Sequence, residues 1–327
     1  MDLVVHTWAE WCRVFNKVDV WRPLVEAICL RHGLASSPCR PGFEGTNAVF
    51  IAGESAVVKI VSPFFRNDYR RELEVYHLLE GDASLPTPRV LAEGVLEGAQ
   101  PWPYMVLSLL PGERLGAVWA SVPRENQVAI AARLGRLIRR LHEQPLDGVR
   151  SMDTSRENWE RFVAGQMERA PAHFRAQGLP AHLLDALPAY LSSLLPLFPA
   201  DFPPRLLSAD LTEDHTLLGQ AKGRWEITGL IDFGDAEVGH ADLDFVAVHL
   251  FCFHGDRELM GVFLAGYGYA LDERFNERMM GYSLLHRFAD MRPWLKELGG
   301  AERVRSWEEL QQHLWRVSPR ACGGSSR

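Results

Sequence analysis

The stretch LLSADLTEDHTLLG (206–219), taken together with GLIDFGDAEVG (229–239), decides the fold. Apolar pairs, Leu206–Leu207 and Leu217–Leu218, enclose Asp210, Glu213, Asp214 and His215, with Ser208 near the start. In the second stretch, Gly229, Leu230 and Ile231 run straight into Asp232-Phe233-Gly234. Singly, the first reads equally as a solvated surface turn and the second as a strand ending in a polar turn. Their order changes this. Asp210 lies 22 residues before Asp232, and GQAKGR (219–224) supplies a short turn between two apolar runs. Such a hairpin brings Asp210, His215 and Asp232 to one end of neighbouring strands. Phosphoryl transfer needs that set: a carboxylate near the attacking hydroxyl, and two oxygen or nitrogen ligands for Mg2+ on a triphosphate. Because Mg2+ prefers oxygen, Asp232 is the more natural ligand and His215 the less comfortable one.

Upstream, AVVKI (56–60) sets Lys59 in the middle of an apolar strand. Alone, it fits the solvent face of an edge strand as well as a phosphate site. The amphipathic helix YRRELEVYHLLEG (69–81), ended by Gly81, carries Glu72 and Glu74 as possible partners. A strand lysine paired with a helix glutamate places a cation on the α- and β-phosphates of a nucleotide. The turn GFEGTN (42–47), with Thr46 and Asn47, offers backbone N–H groups to those phosphates, although it matches neither G-x-G-x-x-G nor a Walker A sequence.

AVFIA and AVVKIV around a GES turn read as a hairpin, and LPTPRVLAEGVL and PYMVLSLLPG as two further strands. Residues 3–34 read as one or two helices anchored by Trp8, Trp11, Phe15, Leu24, Ile28 and Leu30, with Gly33 as the stop. Beyond residue 112 the pattern turns helical. Ile130, Leu134, Leu137, Ile138 and Leu141 share one face of ENQVAIAARLGRLIRRLHEQP, which Pro145 ends. Helices broken by Gly and Pro fill 155–198, an apolar helix is expected over 242–253, and more helices follow to about 316. The expected fold is α+β and bilobal: a small N-terminal lobe with an antiparallel sheet over 1–108, and a larger, mainly helical C-terminal lobe over 109–317. The polar tail SPRACGGSSR (318–327) is expected to be disordered.

At 327 residues the chain is long enough for a sizeable core. Its formal charge of -7 argues against wrapping nucleic acid, which needs clustered Lys and Arg, and suits a cationic ligand. Cys12, Cys29, Cys39, Cys252 and Cys322 form no C-x-x-C pair and no even framework, so a reducing compartment is expected. MDLVVHTWAEWC (1–12) lacks the features of a signal peptide, and no apolar run reaches the roughly 18–20 residues that span a bilayer. A soluble cytoplasmic monomer, with neither nucleic-acid nor membrane partner, is expected.

These residues resemble the aminoglycoside phosphotransferase family, whose fold is similar to that of protein kinases. The likeness rests on VVKI, the helix containing Glu72, PYMVLSLLPGERL, LGRLIRRLH, PRLLSADLTEDH, ITGLIDFGDAEVG and GHADLDF in that order, over roughly residues 40–255. With LFCFHGDRELM added, it looks most like the hygromycin B phosphotransferase branch. The resemblance implies ATP or GTP as donor with Mg2+. It implies Asp210 as the catalytic aspartate, Asp232 and His215 as metal ligands, and Lys59 on the phosphates, held by Glu72, with Glu74 as the second choice. The purine would bond the backbone C=O of Ser108 and N–H of Leu110. Four positions depart from the family pattern. Ser208 and Ala209 stand where the family has His-Gly before the aspartate, His215 stands for its Asn, and His240 stands for an Asp. Asp244 is expected to bond backbone under the catalytic loop.

For the acceptor, seven carboxylates (Asp232, Asp235, Glu237, Asp242, Asp244, Asp256, Glu258) accompany one basic residue, Arg257, between 232 and 258. That bias would attract a small cationic, hydroxylated substrate, although any one of these acids fits a helix cap or a solvated turn as readily. Asp235 is the first candidate for substrate contact, then Asp256, with Glu237 and Asp290; Tyr282, His286 and Trp294 would add walls. The leading expectation is a kinase of an aminoglycoside, hygromycin B by resemblance, giving antibiotic resistance. A kinase of another hydroxylated metabolite or amino sugar is the alternative, and a nucleotide-binding pseudokinase module the third reading.

Overall fold

The computed structural model describes residues 3–317; the tail expected to be disordered lies outside them. The chain opens with helices α1 (Trp8–Val14) and α2 (Val18–Arg31). Strands β1 (Cys39–Pro41), β2 (Ala48–Ala52) and β3 (Ala56–Ile60) follow, then helix α3 (Arg66–Leu79) and strands β4 (Val90–Leu96) and β5 (Trp102–Ser108). The sheet order is β1-β2-β3-β5-β4, with every pair antiparallel.

Strand alternation gives this sheet two different faces. Ala48, Phe50, Ala52, Val58 and Ile60 point into a core closed by α1 and α2. There Trp11 stacks on Trp102 at 5.9 Å, and Trp21 meets Trp102 edge-on at 5.1 Å. Val49, Ile51, Val57 and Lys59 fall on the other face, where they roof a cleft. Two expected anchors are corrected. Leu30 is 84% exposed and Trp8 47% exposed, because the inner stripe of these helices runs through Trp11, Trp21, Val25, Ile28 and Cys29.

The body contains β6 (Glu113–Arg114), α4 (Leu115–Val118), α5 (Arg124–His142), α6 (Arg156–Ala176), α7 (Ala181–Leu194) and β7 (Arg205–Leu207). The hairpin β8 (Thr216–Ala221) and β9 (Arg224–Leu230) comes next, then β10 (Glu237–Gly239), which pairs with β7. Helices α8 (Asp242–Ala247), α9 (Arg257–Tyr267), α10 (Phe275–Leu285), α11 (Arg292–Glu297) and α12 (Trp307–Leu314) complete it. The apolar helix expected over 242–253 is α8 followed by a π-turn at Val248–Cys252. Strands β1, β6 and β10 have only two or three residues each, too few to show a period.

Helices α5 and α9 meet backbone to backbone. A Cβ on Gly135 would lie 2.2 Å from the Phe263 carbonyl oxygen, and one on Gly266 2.4 Å from that of Ala132. This contact fixes the far end of α5, where His142 lies. Gly135→Ala is therefore expected to destabilise the protein by at least about 1–3 kcal/mol, the usual cost of overpacking. Urea unfolding measures it, and a midpoint unchanged from wild type would contradict the close approach.

Candidate active site

Lys59 is 6% exposed, so its ammonium must be paired. Its Nζ donates to both Glu72 carboxylate oxygens, at 2.8 and 2.7 Å, and to Asp232 Oδ1 at 3.1 Å. Glu74 is engaged elsewhere: its Oε2 accepts from the Ser151 N–H and hydroxyl, each at 2.7 Å. Burial alone would lower the Lys59 pKa, but the charges of Asp232 and Glu72 outweigh it and raise it. Burial lifts Glu72 to about 7 against the pull of Lys59. Burial would lift Asp232 too, but Lys59 and then His215 overrule it and hold Asp232 at about 2.

Helix α3 reaches the Asp232 segment at two more points. The Tyr76 hydroxyl accepts the Asp232 N–H at 3.0 Å, and Arg71 Nη1 donates to the Gly234 carbonyl at 3.1 Å. No motif marks either residue. The four-residue spacing from Glu72 to Tyr76, one turn along a helix face, is the signal that finds Tyr76. Asp232 has a φ of 62°, a left-handed conformation that Asp adopts more readily than most residues.

The loop carrying Asp210 hangs from a buried carboxylate. Asp244 accepts the Ser208 N–H at 2.9 Å and the Ala209 N–H at 2.7 Å, and His142 Nε2 donates to it at 3.0 Å. The Ser208 hydroxyl is buried and has no hydrogen-bond partner among the described residues. It therefore does not replace the bond of the family's histidine. Ala209 has a φ of 58°, a left-handed position that costs roughly 1–2 kcal/mol for a residue with a Cβ. The family pattern has glycine there.

His215 is oriented by the same loop. Its Nδ1–H donates to the Asp210 carbonyl at 2.6 Å, which leaves Nε2 facing Asp232 Oδ2 at 3.9 Å. The Asp210 side chain is 17% exposed. Burial is the main influence on it; Asp235 and Asp232 add to the rise, His215 and Arg287 oppose it, and the pKa reaches about 7.

Thr46, Asn47, Lys59, Glu72, Ser108, Leu110, His215 and Asp232 line one cleft of about 510 Å³. At its inner wall, the Leu109 N–H bonds Ser55, while the Leu110 N–H has no partner among the described residues. The Thr46 carbonyl accepts from Trp11 Nε1, and Asn47 Oδ1 accepts the Ser62 N–H at 3.0 Å, so the Asn47 side chain also fastens its turn to the end of β3.

The acidic surplus read from the sequence is corrected in space, since each of the seven acids has a basic partner. Asp232 has Lys59, Asp242 has Arg278, Asp244 has His142, and Arg124 pairs with both Asp256 and Glu258. Arg287 lies 2.6 Å from Asp235 and 3.5 Å from Glu237. Two substrate candidates are engaged structurally. Asp256 caps α9, accepting the Glu258 and Leu259 N–H groups at 3.0 Å, and Asp290 is bound by Arg292 at 2.6 Å. Tyr282, His286 and Trp294 are buried in the core, so they are not acceptor walls. Arg287, two residues before Ala289, is the member of that segment that faces Asp210 electrostatically.

A model of the phosphotransferase enzyme family matches residues 37–279. The chain belongs to that family. Curated relatives include homoserine kinases of Methylocella silvestris, 30% identical over 182 residues (54% of this chain, 51% of the relative), and of Rhodospirillum rubrum, 31% identical over 189 residues (56% and 52%). The chain spans about half the length of these relatives. Among solved structures it is similar to aminoglycoside 2'-phosphotransferase-IIIa in its GDP complex, with a TM-score of 0.68 at 20% identity over 89% of this chain and 97% of that one. It is also similar to spectinomycin phosphotransferase APH(9)-Ia with ADP and spectinomycin, at 0.58 and 12% identity over 90% and 93%. At such identities the likeness establishes the kinase-like fold. Among the described residues, no helix is long and apolar enough to cross a membrane.

The raised Asp210 and Glu72 give a signed prediction. Between about 4 and about 7 these two groups hold protons in the native state that the unfolded chain releases, so their contribution to stability falls as pH rises, against the opposite contribution of the buried His249 and His286, whose pKa values are lowered to about 4. Asp210→Asn removes one of these two groups and should flatten that fall. Thermal unfolding across this range measures it; a variant curve parallel to wild type would contradict the assignment.

Proposed function

We propose that this protein transfers the γ-phosphate of ATP or GTP, with Mg2+, to a hydroxyl of a small amine-bearing molecule. The observation that carries the reading is Asp210, a partly buried carboxylate whose pKa of about 7 suits proton transfer near neutrality, set beside the Lys59–Glu72–Asp232 cluster. The cleft volume lies within the range of cofactor sites.

Each role then falls to a named group. Lys59, oriented by Glu72, contacts the phosphates, and the turn at Thr46 and Asn47 covers them. The Ser108 carbonyl and Leu110 N–H hold the purine. Asp232 Oδ2 and His215 Nε2 make no hydrogen bond among the described residues and face one another. They would hold Mg2+ together with phosphate oxygens, consistent with no group of three or more protein ligands among the described residues. Bound there, Mg2+ would neutralise charge on the phosphate oxygens. Asp210 orients the acceptor hydroxyl and takes its proton. The acceptor oxygen bonds to the γ-phosphorus as the bond to the β-phosphate oxygen breaks, and the nucleoside diphosphate leaves with that oxygen.

Aminoglycosides, hygromycin B among them, are one acceptor class; their phosphorylation would inactivate the antibiotic. Asp235 supports it as an acidic group that contributes directly to the electrostatics at Asp210, and Glu237 shares Arg287 with it. A hydroxylated metabolite or amino sugar is the second, favoured by the similarity to homoserine kinases and by the basic partners that already neutralise the acids.

Asp210→Ala should lower kcat/KM by about 10²- to 10⁴-fold, and a loss of only a few fold would refute Asp210 as the proton acceptor. Asp232→Ala should abolish Mg2+-dependent nucleotide binding by calorimetry; retained binding would remove its metal role. A coupled assay of ATP and GTP against both acceptor classes should show acceptor-dependent diphosphate release in at least one. Its absence throughout would favour a nucleotide-binding module without transfer.

A further inference from the structure

We propose that Arg287 reads a carboxylate on the acceptor, so that the acceptor is a hydroxylated amino acid rather than a polycationic sugar. This rests on the phosphotransferase reading above and narrows its acceptor.

Arg287 follows the end of α10 and reaches toward the catalytic loop. Its side chain is 29% exposed, and Nη1 donates to Asp235 Oδ1 at 2.6 Å. Nη2 lies 3.5 Å from Glu237 Oε2, beyond a firm hydrogen bond. Its charge is also felt at Asp210 and at Asp68. A guanidinium has five N–H donors. Among the described residues, Arg287 commits one hydrogen bond.

Other arginines of this body are used differently. Arg278, 7% exposed on its side chain, spends Nε on Asp242, Nη1 on Asp272 and Nη2 on both Asp272 and Tyr269. Arg124 reaches Asp256 with both Nη atoms and Glu258 with one. Those residues tie elements together with most of their donors. Arg287 keeps a charged, partly exposed fork with donors to spare, beside the carboxylate proposed to take the acceptor's proton.

The local charges fit a zwitterion. Asp235, Glu237 and Arg287 present two negative groups and one positive group at the same place. An acceptor bearing one ammonium and one carboxylate can exchange partners there without changing the net charge of the group. Its ammonium takes Asp235 or Glu237, and its carboxylate takes the fork in bidentate geometry. A half-exposed ion pair of this kind contributes little stability and opens readily. A polycationic sugar would instead bring further ammonium groups against a guanidinium, which is unfavourable.

Three acceptors separate these cases: L-homoserine, 3-aminopropan-1-ol (the same skeleton without the carboxylate) and hygromycin B. Each is assayed as a phosphate acceptor with full-length wild type, Arg287→Met and Arg287→Lys, with Mg2+-ATP binding measured on all three proteins as a folding control. Wild type is expected to prefer L-homoserine over 3-aminopropan-1-ol. Arg287→Met should lose about 10- to 100-fold in kcat/KM for L-homoserine, chiefly through KM, the loss expected for a charged hydrogen bond. The amine without a carboxylate should be nearly unaffected, and Arg287→Lys should recover part of the loss. An unchanged ratio of the two small acceptors in Arg287→Met would overturn the proposal. So would efficient phosphorylation of hygromycin B by wild type with neither small acceptor used. Phosphorylation of none of the three, with nucleotide binding intact, would overturn it together with the transfer reading, whereas phosphorylation of the amine and hygromycin B alone would overturn only the carboxylate.

Discussion

The ammonium of Lys59 is almost wholly buried and must be paired with opposite charge, and the cleft is arranged around that fact. Two carboxylates from separate parts of the chain, Glu72 on α3 and Asp232 after β9, close on it within 3.1 Å. Removing Glu72 from its buried pair with Lys59 would typically cost about 3–5 kcal/mol, because the remaining charge is stranded. The sheet, helix α3 and the β8–β9 hairpin are therefore locked to one geometry by a polar contact. Tyr76 and Arg71 reinforce it from the same helix by binding the backbone on either side of Phe233. Burial opposes the ionised state at every member, as the lifted Glu72 records. The cluster is better understood as a device of position than of stability.

A second buried carboxylate does the same for the loop carrying Asp210. Asp244 gathers two consecutive backbone N–H groups, and His142 steadies it from the end of α5. The close α5–α9 contact thereby acts on chemistry that lies well away from either glycine. The loop still shows the marks of its departures from the family pattern: an unpartnered Ser208 hydroxyl and a left-handed Ala209. His215 fits into this frame because one ring nitrogen is fixed by the Asp210 carbonyl, so the other must look toward Asp232.

The segment 232–258 shows why counting charges along a chain misleads. Seven acids between 232 and 258 face one arginine in sequence, yet every one meets a basic partner drawn from elsewhere in the chain. Local composition records what a segment carries. It does not record what the fold brings to it, and Arg287 arrives at Asp235 from 52 residues away.

The sequence by itself determined the bilobal kinase-like plan and the residues that line its main cleft. Strand alternation around Lys59, helical spacing in α3 and α5, and the hairpin between Asp210 and Asp232 are all local periodicities, and local periodicity is visible in one dimension. It placed eight candidate residues in a single cavity. It erred where exposure depends on the opposite wall, as at Trp8 and Leu30, and where short strands carry no period. Only the tertiary structure decided that Glu72 and not Glu74 holds Lys59, and that Asp256 and Asp290 serve caps and surface pairs. Only it placed a partly exposed arginine beside Asp235 and Glu237. Those outcomes depend on which distant side chains share a few ångströms, and pairing at a distance follows from packing, not from neighbouring residues.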